Sequence, residues 1–295
     1  MNDELSKIKT EFDWNLYIYL NPNLKSIIKN EHQAWYHFQK FGYKNNFKWK
    51  IDNNNNNTKI LIVMPTYNRA KNIDNIVSMI LSQIFTNWFF LIIDDGSTED
   101  NICIFEQTQE KYKNNTSILF VKNETNCGIG KTLNRGINYL LQHDFTHFTW
   151  ISDDNIYYNN FLNILISNNT FFNYTSYDIV YGNNITNGIL HNVKCNYNDY
   201  IDLINNWKGC ASFMWSKDAI IMIGFYNEFI QGCEDFDYII RTFKINNGCC
   251  NFIKISTMKY FIHDNSLYTL EKKTIIELTN KIVKHYLEHN TLFSM

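Results

Sequence analysis

The sequence after residue 58 alternates short apolar runs with amphipathic segments, and this alternation constrains the fold more than any other feature. Each apolar run is continuous, which is typical of a strand covered on both faces. Apolar residues recur at helical spacing over residues 73–84 and again after Gly128, which predicts two amphipathic helices. Repeated β-α-β units predict an α/β domain with a mainly parallel sheet flanked by helices. The predicted strands cover residues 60–64, 88–93, 118–121 and 148–151.

The composition indicates a globular protein and excludes a partner selected by bulk charge. The 295 residues are 45% hydrophobic and 16% aromatic, which is enough apolar material for a packed core. The formal net charge is only −2, so we expect no bulk attraction to nucleic acid or to an anionic membrane. A binding partner must therefore be inferred from particular residues.

The N-terminus and the cysteines bear on location. Residues 1–10 are polar and lack the apolar segment of a signal peptide, and no later run has the length of a transmembrane segment. The seven cysteines include no CxxC pair, which favours reduced thiols that serve in packing. These features predict a soluble, cytoplasmic protein.

A run of asparagines marks the predicted domain boundary. Residues 52–57 read DNNNNN, and a polar run with nothing to bury is typical of a flexible linker. We predict a small helical module over residues 1–50, a linker over 51–58, and an α/β domain with a C-terminal helix over 59–295. Aromatic residues at helical spacing predict two or three short helices in the module.

Three polar clusters directly follow predicted strands. The sequence reads PTYNR at 65–69, DDGS at 94–97 and SDDN at 152–155. Ligands of mainly parallel sheets bind at the carboxyl ends of the strands, where such clusters meet. The sequence therefore predicts a binding site at one edge of the sheet.

Aspartates in two of these clusters are candidate ligand-binding residues. Asp153 and Asp154 are suited to hold a hard divalent cation, with phosphates and water as its other ligands. Asp94 or Asp95 could accept a hydrogen bond from a base or a ribose hydroxyl. Both pairs could instead serve only as turn residues. Two acidic turns at one edge are costly unless a cation or a donor-rich ligand offsets their charge, which favours the binding interpretation.

Further candidates lie near the middle and end of the chain. Glu234 and Asp235 open a predicted helix, where a carboxylate could act as a general base or as an N-terminal cap. His263 follows an apolar run at 258–262 and could bind a metal or a phosphate, or be a surface residue. Lys131 could offset diphosphate charge or lie on a solvated helix face. The segment 207–215, WKGCASFMW, suits a sugar-stacking surface or plain core, and core is favoured.

Five motifs in order resemble those of family 2 glycosyltransferases with the GT-A fold. They read IVMPTYNR, LIIDDGSTED, NETNCGIGKTLNRGI, WISDDNIYYNNFL and GCEDFDYIIR, and they extend from Ile60 to about His263. The resemblance implies an α/β GT-A fold and inverting, metal-dependent transfer from a nucleotide sugar. SDDN departs from a literal Asp-any-Asp motif, and KTLNRG departs from the Ala-Arg-Asn run of many members.

The resemblance also implies a set of nucleotide-binding residues. Asp95, with Asp94 beside it, would accept from the base, which is uracil in the commonest case. Asp153 would approach the ribose or the sugar. Asn126 and Lys131 belong to a segment that closes over the nucleotide. The implied donor-binding residues are Pro65, Thr66, Tyr67, Arg69, Asp94, Asp95, Asn126, Lys131 and Asp153.

The remaining implied roles concern the metal and the chemistry. Asp154 would coordinate Mn²⁺ or Mg²⁺, and His263 matches a histidine that joins the metal site in some members. Asp235, with Glu234 beside it, matches the catalytic base that deprotonates an acceptor hydroxyl. The donor would be a nucleotide sugar, in the first instance a UDP-sugar, and the acceptor a glycan or glycoprotein.

The helical module carries a second, less specific resemblance. Its pattern DxxxYxxxNPxL, followed by WxHxxxxG, looks like short helical segments found beside glycosyltransferase domains, including those of large DNA viruses. A viral source would place the protein in the host cytoplasm or the virion.

Two other functions stay open at this point. One is a protein that keeps the fold but has lost activity, which the intact acidic clusters disfavour. The other is a nucleotidyltransferase, which would usually carry a glycine-rich loop after the first strand, where this sequence reads PTYNRA.

Overall fold

The computed structural model of the chain describes residues 2–21, 24–45, 47–49, 57–168, 170–181, 189–245, 250–262 and 272–289. His263 lies outside these described residues, so the structure gives no position for that predicted metal ligand. The chain divides into two compact units, Met1–Asn54 and Asn55–Met295. This division falls within the predicted linker. The domain limits themselves stay a prediction.

The described residues of the first unit form three short α-helices and a π-helical turn. They are α1 (Asn2–Glu11), α2 (Trp14–Leu20), α3 (Glu31–His37) and the turn Phe38–Gly42. The buried side chains of Tyr17, Leu24 and Phe38 belong to its small core. The Tyr17 hydroxyl lies 2.8 Å from His37 Nδ1, and a side chain at Gly42 would collide with that hydroxyl. Helix α1 was not among the predicted elements, because its sequence is mostly polar.

The second unit alternates strands and helices in its first half, and its second half contains both parallel and antiparallel strand pairs. Its first half contains β1 (Ile60–Thr66), α4 (Ile73–Leu81), β2 (Trp88–Asp94), α5 (Glu99–Tyr112), β3 (Ile118–Lys122), α6 (Ile129–Gln142) and β4 (His147–Trp150). Its second half contains β5 (Ile156–Tyr157), α7 (Phe161–Leu165), β6 (Phe172–Tyr181), β7 (Ile189–Val193), α8 (Tyr200–Asn206), β8 (Phe213–Ser216), α9 (Lys217–Ile223), α10 (Glu234–Ile245), β9 (Cys250–Ile262) and α11 (Lys272–Glu288).

Within the described residues these strands form one mixed sheet, in the order β3-β2-β1-β4-β8-β6-β9-β5 with β7 on β6. Strands β1 to β4 pair in parallel, as predicted. Beyond β4 the sheet is mixed, because β8 runs antiparallel to both β4 and β6. The predicted α/β class is confirmed, while the mainly parallel arrangement describes the β1–β4 half.

Strand register sets the position of the polar clusters. Thr66 at the end of β1 pairs with Asp94 at the end of β2, and Val63 of β1 pairs with Trp150 at the end of β4. The loops after these three strands therefore leave the same edge of the sheet.

Helix α6 packs closely on β1 through a glycine. A Cβ atom at Gly136 would lie 2.7 Å and 2.9 Å from the two methyl carbons of Val63. Contacts this short leave no room for a side chain, so Gly136 sets the distance between helix and sheet. The helix in turn fixes the loop before it, at residues 123–128.

A buried polar group joins the last two helices. Arg241 forms an ion pair with Asp237 at 2.9 Å and donates to the Ile223 carbonyl at 3.0 Å. The Tyr286 hydroxyl of α11 donates to Asp237 Oδ1 at 2.7 Å. These contacts tie α11 and the end of α9 to α10, which begins with the predicted base.

None of the helices that the structure describes has the length and apolarity needed to cross a membrane.

Replacing Gly136 with alanine should destabilise the protein by about 1–2 kcal/mol, because overpacking against Val63 outweighs the better helix propensity of alanine. The Val63→Ala change should relieve part of that cost, so the double variant should be more stable than the sum of the single changes predicts. Urea unfolding of the four proteins measures this coupling.

The control is Asn138→Ala, at an exposed position of the same helix, which should be neutral or stabilising. Additive losses in the double variant would contradict the packing described for Gly136 and Val63.

Candidate active site at the ends of the parallel strands

Two carboxylates lie side by side after β4, and both contact Arg69 from the loop after β1. Arg69 Nη1 lies 2.5 Å from Asp154 Oδ2 and 3.4 Å from Asp153 Oδ1. The Thr66 hydroxyl donates to Asp153 Oδ2 at 2.6 Å, and the Ser152 hydroxyl donates to Asp154 Oδ1 at 2.6 Å. Residues from two neighbouring parallel strands thus hold the carboxylate pair.

The surroundings of Asp153 and Asp154 favour the binding of a further cation. Burial, the largest influence, raises the pKa of Asp153 to about 6, although the Thr66 hydroxyl and Arg69 both favour its ionised form. The neighbouring Asp154 carboxylate acts in the same direction as burial. A cation placed against both carboxylates would stabilise their charged forms.

The donor set fits a hard divalent cation in part. Carboxylate and hydroxyl oxygens are the ligands that Mg²⁺ and Mn²⁺ prefer, and such ions keep water or phosphate ligands as well. No cluster of three or more His, Cys, Asp or Glu side chains suited to a metal occurs in the part of the chain that the structure describes. Asp153 and Asp154 could therefore hold a cation together with ligands from a bound diphosphate.

Asp94 serves the turn that follows β2. Its carboxylate accepts from the Ser97 backbone N–H at 3.0 Å and from the Ser97 hydroxyl at 2.5 Å. The same hydroxyl accepts from the Asn68 N–H at 2.7 Å, and Asn68 Oδ1 accepts from the Thr98 N–H at 2.8 Å. The loops after β1 and β2 are thereby joined.

Asp95 holds the loop that precedes α6. Its Oδ1 accepts from Asn123 Nδ2 at 2.7 Å and from the Cys127 N–H and thiol at 3.1 Å and 3.0 Å. Its Oδ2 accepts from the Gly128 N–H at 2.9 Å. Burial alone would raise the pKa of Asp95, but the hydrogen bonds from Cys127 and Asn123 prevail and hold it below the usual range. The ionised form of Asp95 is therefore favoured, and it holds the loop that precedes α6.

The loop 123–128 also packs against the turn after β2. Gly96 has φ +71°, and a Cβ atom there would lie 2.3 Å from the Thr125 carbonyl carbon. Only glycine combines this backbone conformation with so close an approach. Asn123 and Cys127 were not among the predicted site residues, because their contact with Asp95 spans about thirty positions of chain.

Several predicted nucleotide-binding residues lie in or beside the segments that follow the strands. Tyr67 is 45% exposed, and Asn126 and Lys131 are exposed. Asn126 Oδ1 accepts from the Gly128 N–H at 3.0 Å. Pro65 lies within β1, opposite Ile93 of β2. Tyr67, Asn126 and Lys131 are thus placed where a ligand at the sheet edge could contact them.

The acidic pair at the start of α10 is strongly desolvated. Glu234 is buried, and its Oε2 has no hydrogen-bond partner among the described residues. Burial, together with the charge of Asp235, raises the pKa of Glu234 well above the carboxyl range. Burial also raises the pKa of Asp235, although the Phe236 N–H donates to its Oδ1 at 2.7 Å. Such a carboxylate binds a proton more readily than one in water, as a general base requires.

Tyr226 connects the end of β4 to α10. Trp150, the last residue of β4, donates its indole N–H to the Tyr226 hydroxyl at 3.0 Å. Tyr226 stacks on Tyr238 of α10, with ring centroids 3.9 Å apart, and interacts electrostatically with Asp235. Asn134 of α6 binds both the N–H and the carbonyl of Tyr226. Tyr226 was not among the predicted site residues, because its contacts come from distant parts of the chain.

The aromatic segment 207–215 divides between core and surface. Cys210, Phe213, Met214 and Trp215 are buried, in agreement with the favoured core interpretation. Trp207 is half-buried, with its ring centroid 4.8 Å from that of Phe236, the residue after Asp235. Trp207 therefore packs on the helix that carries the acidic pair, and Cys210 interacts electrostatically with Asp235.

Comparison with known proteins defines the class to which this fold and site belong. The family model described as glycosyl transferase family 2 matches residues 61–211, which is more than half of the 295 residues. The chain therefore belongs to glycosyl transferase family 2, as the five motifs predicted.

Two bacterial relatives show similarity over shorter segments. The chain is 30% identical over 89 residues to the putative glycosyltransferase EpsE of Bacillus subtilis, which is 30% of either chain. It is 32% identical over 114 residues to the putative colanic acid biosynthesis glycosyl transferase WcaA of Escherichia coli, which is 38% of either chain. The aligned segments thus span well under half of these relatives.

Solved structures agree with the predicted GT-A fold. S. aureus TarS 1–349 in complex with UDP-GlcNAc matches with a TM-score of 0.59 and 15% identity, over 79% of this chain and 68% of TarS 1–349. The mannosyltransferase PcManGT from Pyrobaculum calidifontis, in complex with GDP-Man and Mn²⁺, matches with a TM-score of 0.55 and 10% identity, over 80% and 66% of the two chains. At these identities the likeness concerns the fold alone.

Replacing Asp95 with asparagine should lower the free energy of unfolding at neutral pH, because the amide cannot accept from Gly128 and Cys127 as the carboxylate does. The folded pKa of Asp95 is lowered, so its carboxylate stabilises the fold above the ordinary aspartate pKa of about 3.9. That contribution is lost as pH falls through the folded pKa. The stability gap between the two proteins should therefore narrow as pH is lowered from 7 to 3.

Urea unfolding at several pH values measures the gap. Glu124→Gln, an exposed change in the same loop, should alter stability little. A gap that keeps its size across this pH range would show that the Asp95 charge does not hold the loop.

Proposed function

We propose that this chain is a metal-dependent, inverting glycosyltransferase that moves a sugar from a nucleotide sugar, in the first instance a UDP-sugar, to a hydroxyl of a glycan or glycoprotein. The observation that carries the proposal is the presence of two acidic sites, one after β4 and one at the start of α10. The Trp150–Tyr226 hydrogen bond and the Tyr226–Tyr238 stack join that strand to that helix. One site, Asp153 and Asp154, suits the donor, and the other, Glu234 and Asp235, suits the acceptor. Family membership and the nucleotide-sugar ligands of TarS and PcManGT support it.

In this proposal the donor lies at the edge formed by the loops after β1, β2 and β4. Asp95 Oδ2 accepts one described hydrogen bond, from Gly128, which leaves capacity for a base N–H. Asp94 helps by holding the turn in place. Three exposed side chains contact the nucleotide, those of Tyr67, Asn126 and Lys131. Pro65 and Thr66, at the end of β1, line the site.

The diphosphate lies near the carboxylate pair. Asp154 and Asp153 hold Mn²⁺ or Mg²⁺, which would offset the charge of the diphosphate leaving group when bound. Arg69 and Lys131 add positive charge on the protein side. His263 is a further proposed ligand.

Asp235 is the proposed general base. Its raised pKa suits a group that takes a proton from the acceptor hydroxyl as that oxygen attacks the anomeric carbon. Attack occurs on the face opposite the nucleoside diphosphate, which inverts the anomeric configuration. Burial and the charge of Asp235 raise the pKa of Glu234, which favours its protonated form and so limits the negative charge beside Asp235.

We also propose that the protein is cytoplasmic and that residues 1–50 form a separate helical module. The described cysteines are free thiols, which suits a reducing compartment. We propose that the module presents an acceptor or contacts a partner.

A product assay with a panel of nucleotide sugars tests the function directly. Purified chain, Mn²⁺, donor and a mixture of glycan acceptors should release a nucleoside diphosphate. Release of pyrophosphate from nucleoside triphosphates would identify a nucleotidyltransferase instead. Metal-dependent thermal stabilisation by a nucleotide sugar without any product would identify a binding protein that has lost activity.

The Asp235→Asn change should lower kcat by about 10²–10⁴-fold, the usual contribution of a general base, while the thermal stabilisation by donor and Mn²⁺ stays unchanged. The Asp154→Asn change should instead reduce the metal-dependent part of that stabilisation. Glu234→Gln is the matched control, because a glutamine resembles a protonated glutamate, and it should cost much less activity than Asp235→Asn. Equal losses in the two α10 variants would argue against Asp235 as the base.

The activity of the unmodified chain should fall on the acid side at a pH well above the ordinary aspartate pKa of about 3.9. Burial raises the pKa of Asp235, so the base is protonated and inactive below that raised value. Initial rates at low donor and acceptor concentration from pH 4.5 to 8.5 give the profile of kcat/KM. A flat profile down to pH 4.5 would exclude a base with a raised pKa.

A further inference from the structure

The loop after β1 places a cation between the two carboxylates that are suited to metal. Arg69 contacts both Asp154 and Asp153 through the same nitrogen, Nη1. Its side chain is 29% exposed, whereas those of Asp153 and Asp154 are 6% and 17% exposed. The guanidinium therefore covers the carboxylate pair from the solvent side.

We propose that Arg69 is a built-in counter-ion that a divalent metal replaces when a nucleoside diphosphate binds, so that metal and nucleotide bind together and each binds weakly alone. This inference rests on the proposed donor site. In addition to contacting the nucleotide, Arg69 would control when a metal ion can bind to Asp153 and Asp154.

The physical argument begins with the cost of two adjacent, desolvated carboxylates. Like charges this close disfavour each other's ionisation, and burial adds to the cost. The single positive charge of Arg69 offsets part of it, with the Thr66 and Ser152 hydroxyls as further donors. A metal ion that approaches alone must displace this guanidinium, which would then lose its two carboxylate partners.

A diphosphate changes that balance. Guanidinium groups bind phosphate oxygens as well as carboxylate oxygens, through charge-assisted hydrogen bonds. When Arg69 moves to the diphosphate, the carboxylates become available to a divalent ion that also contacts the phosphate oxygens. One cation is exchanged for another without leaving any charge unpaired.

The exchange predicts reciprocal coupling between two ligands. If metal raises the affinity for a nucleoside diphosphate by some factor, the nucleotide must raise the affinity for metal by the same factor. Arg69 should carry part of this factor, because it opposes the binding of metal alone.

The test measures Mn²⁺ binding by the EPR signal of free Mn²⁺, with the full chain and no nucleotide. The Arg69→Met variant should bind Mn²⁺ at least tenfold more tightly than the unmodified chain. Lys71→Met is the matched control, because it removes the same charge from an exposed position two residues away, and its Mn²⁺ affinity should match that of the unmodified chain. Adding Asp154→Asn to Arg69→Met should abolish the gain, which locates the bound ion.

A second measurement adds UDP or GDP and follows calorimetric binding with and without Mn²⁺. In the unmodified chain Mn²⁺ should raise the affinity for one of these nucleotides severalfold, and in Arg69→Met this factor should be smaller, because the direct attraction between metal and phosphate remains. Arg69→Lys should give an intermediate factor, because an ammonium retains the charge but cannot reproduce the planar fork of donors.

Unchanged or weaker Mn²⁺ binding in Arg69→Met would overturn the exchange, provided that its thermal unfolding matches that of Lys71→Met. Weaker UDP binding with unchanged Mn²⁺ binding would likewise reduce Arg69 to a nucleotide contact. The Mn²⁺ measurement uses no donor, acceptor or turnover. A tenfold gain there without any transferase product would therefore support the exchange and count only against the proposed function.

Discussion

Parallel pairing of β1 with both β2 and β4 is the constraint on which the rest of the site depends. The pairing brings the ends of three strands to one edge, so that Thr66, Asp94 and the turn after Trp150 lie together. It also concentrates four aspartates there, and this negative charge must be offset locally. The structure offsets the two pairs in different ways.

Backbone and side-chain donors offset the charge of the pair after β2. Asp94 accepts from Ser97, and Asp95 accepts from the loop 123–128. A side-chain cation offsets the charge of the pair after β4. Backbone donors cannot leave without unfolding a loop, whereas a guanidinium on a long side chain can move to another anion. The charge of the first pair is thus offset by donors that are fixed in loops, and that of the second by a side chain that can move.

The acidic pair of α10 depends on packing from elsewhere in the domain. Asp237 and Arg241 hold α10 to α9 and α11, and the stack of Tyr226 on Tyr238 fixes the segment before the helix. Asn134 anchors that segment to α6, whose distance from β1 is set by Gly136. The position of Asp235 thus follows from contacts made by four helices, and its desolvation is a result of that packing.

The sequence by itself determined the β1–β4 elements, the strand ends at which polar residues gather, and the family to which the chain belongs. These features depend on local apolar periodicity and on motifs of adjacent residues, such as DDGS and SDDN, which a string of letters contains. It did not determine the mixed half of the sheet, because local periodicity does not encode the order and direction in which the strands after β4 pair. Nor did it show that Asp95 binds Cys127, that Trp150 binds Tyr226, or that Arg69 covers Asp153 and Asp154. Those contacts span from about thirty to more than eighty positions, so only the tertiary structure, which brings these distant side chains within hydrogen-bonding distance, could decide them.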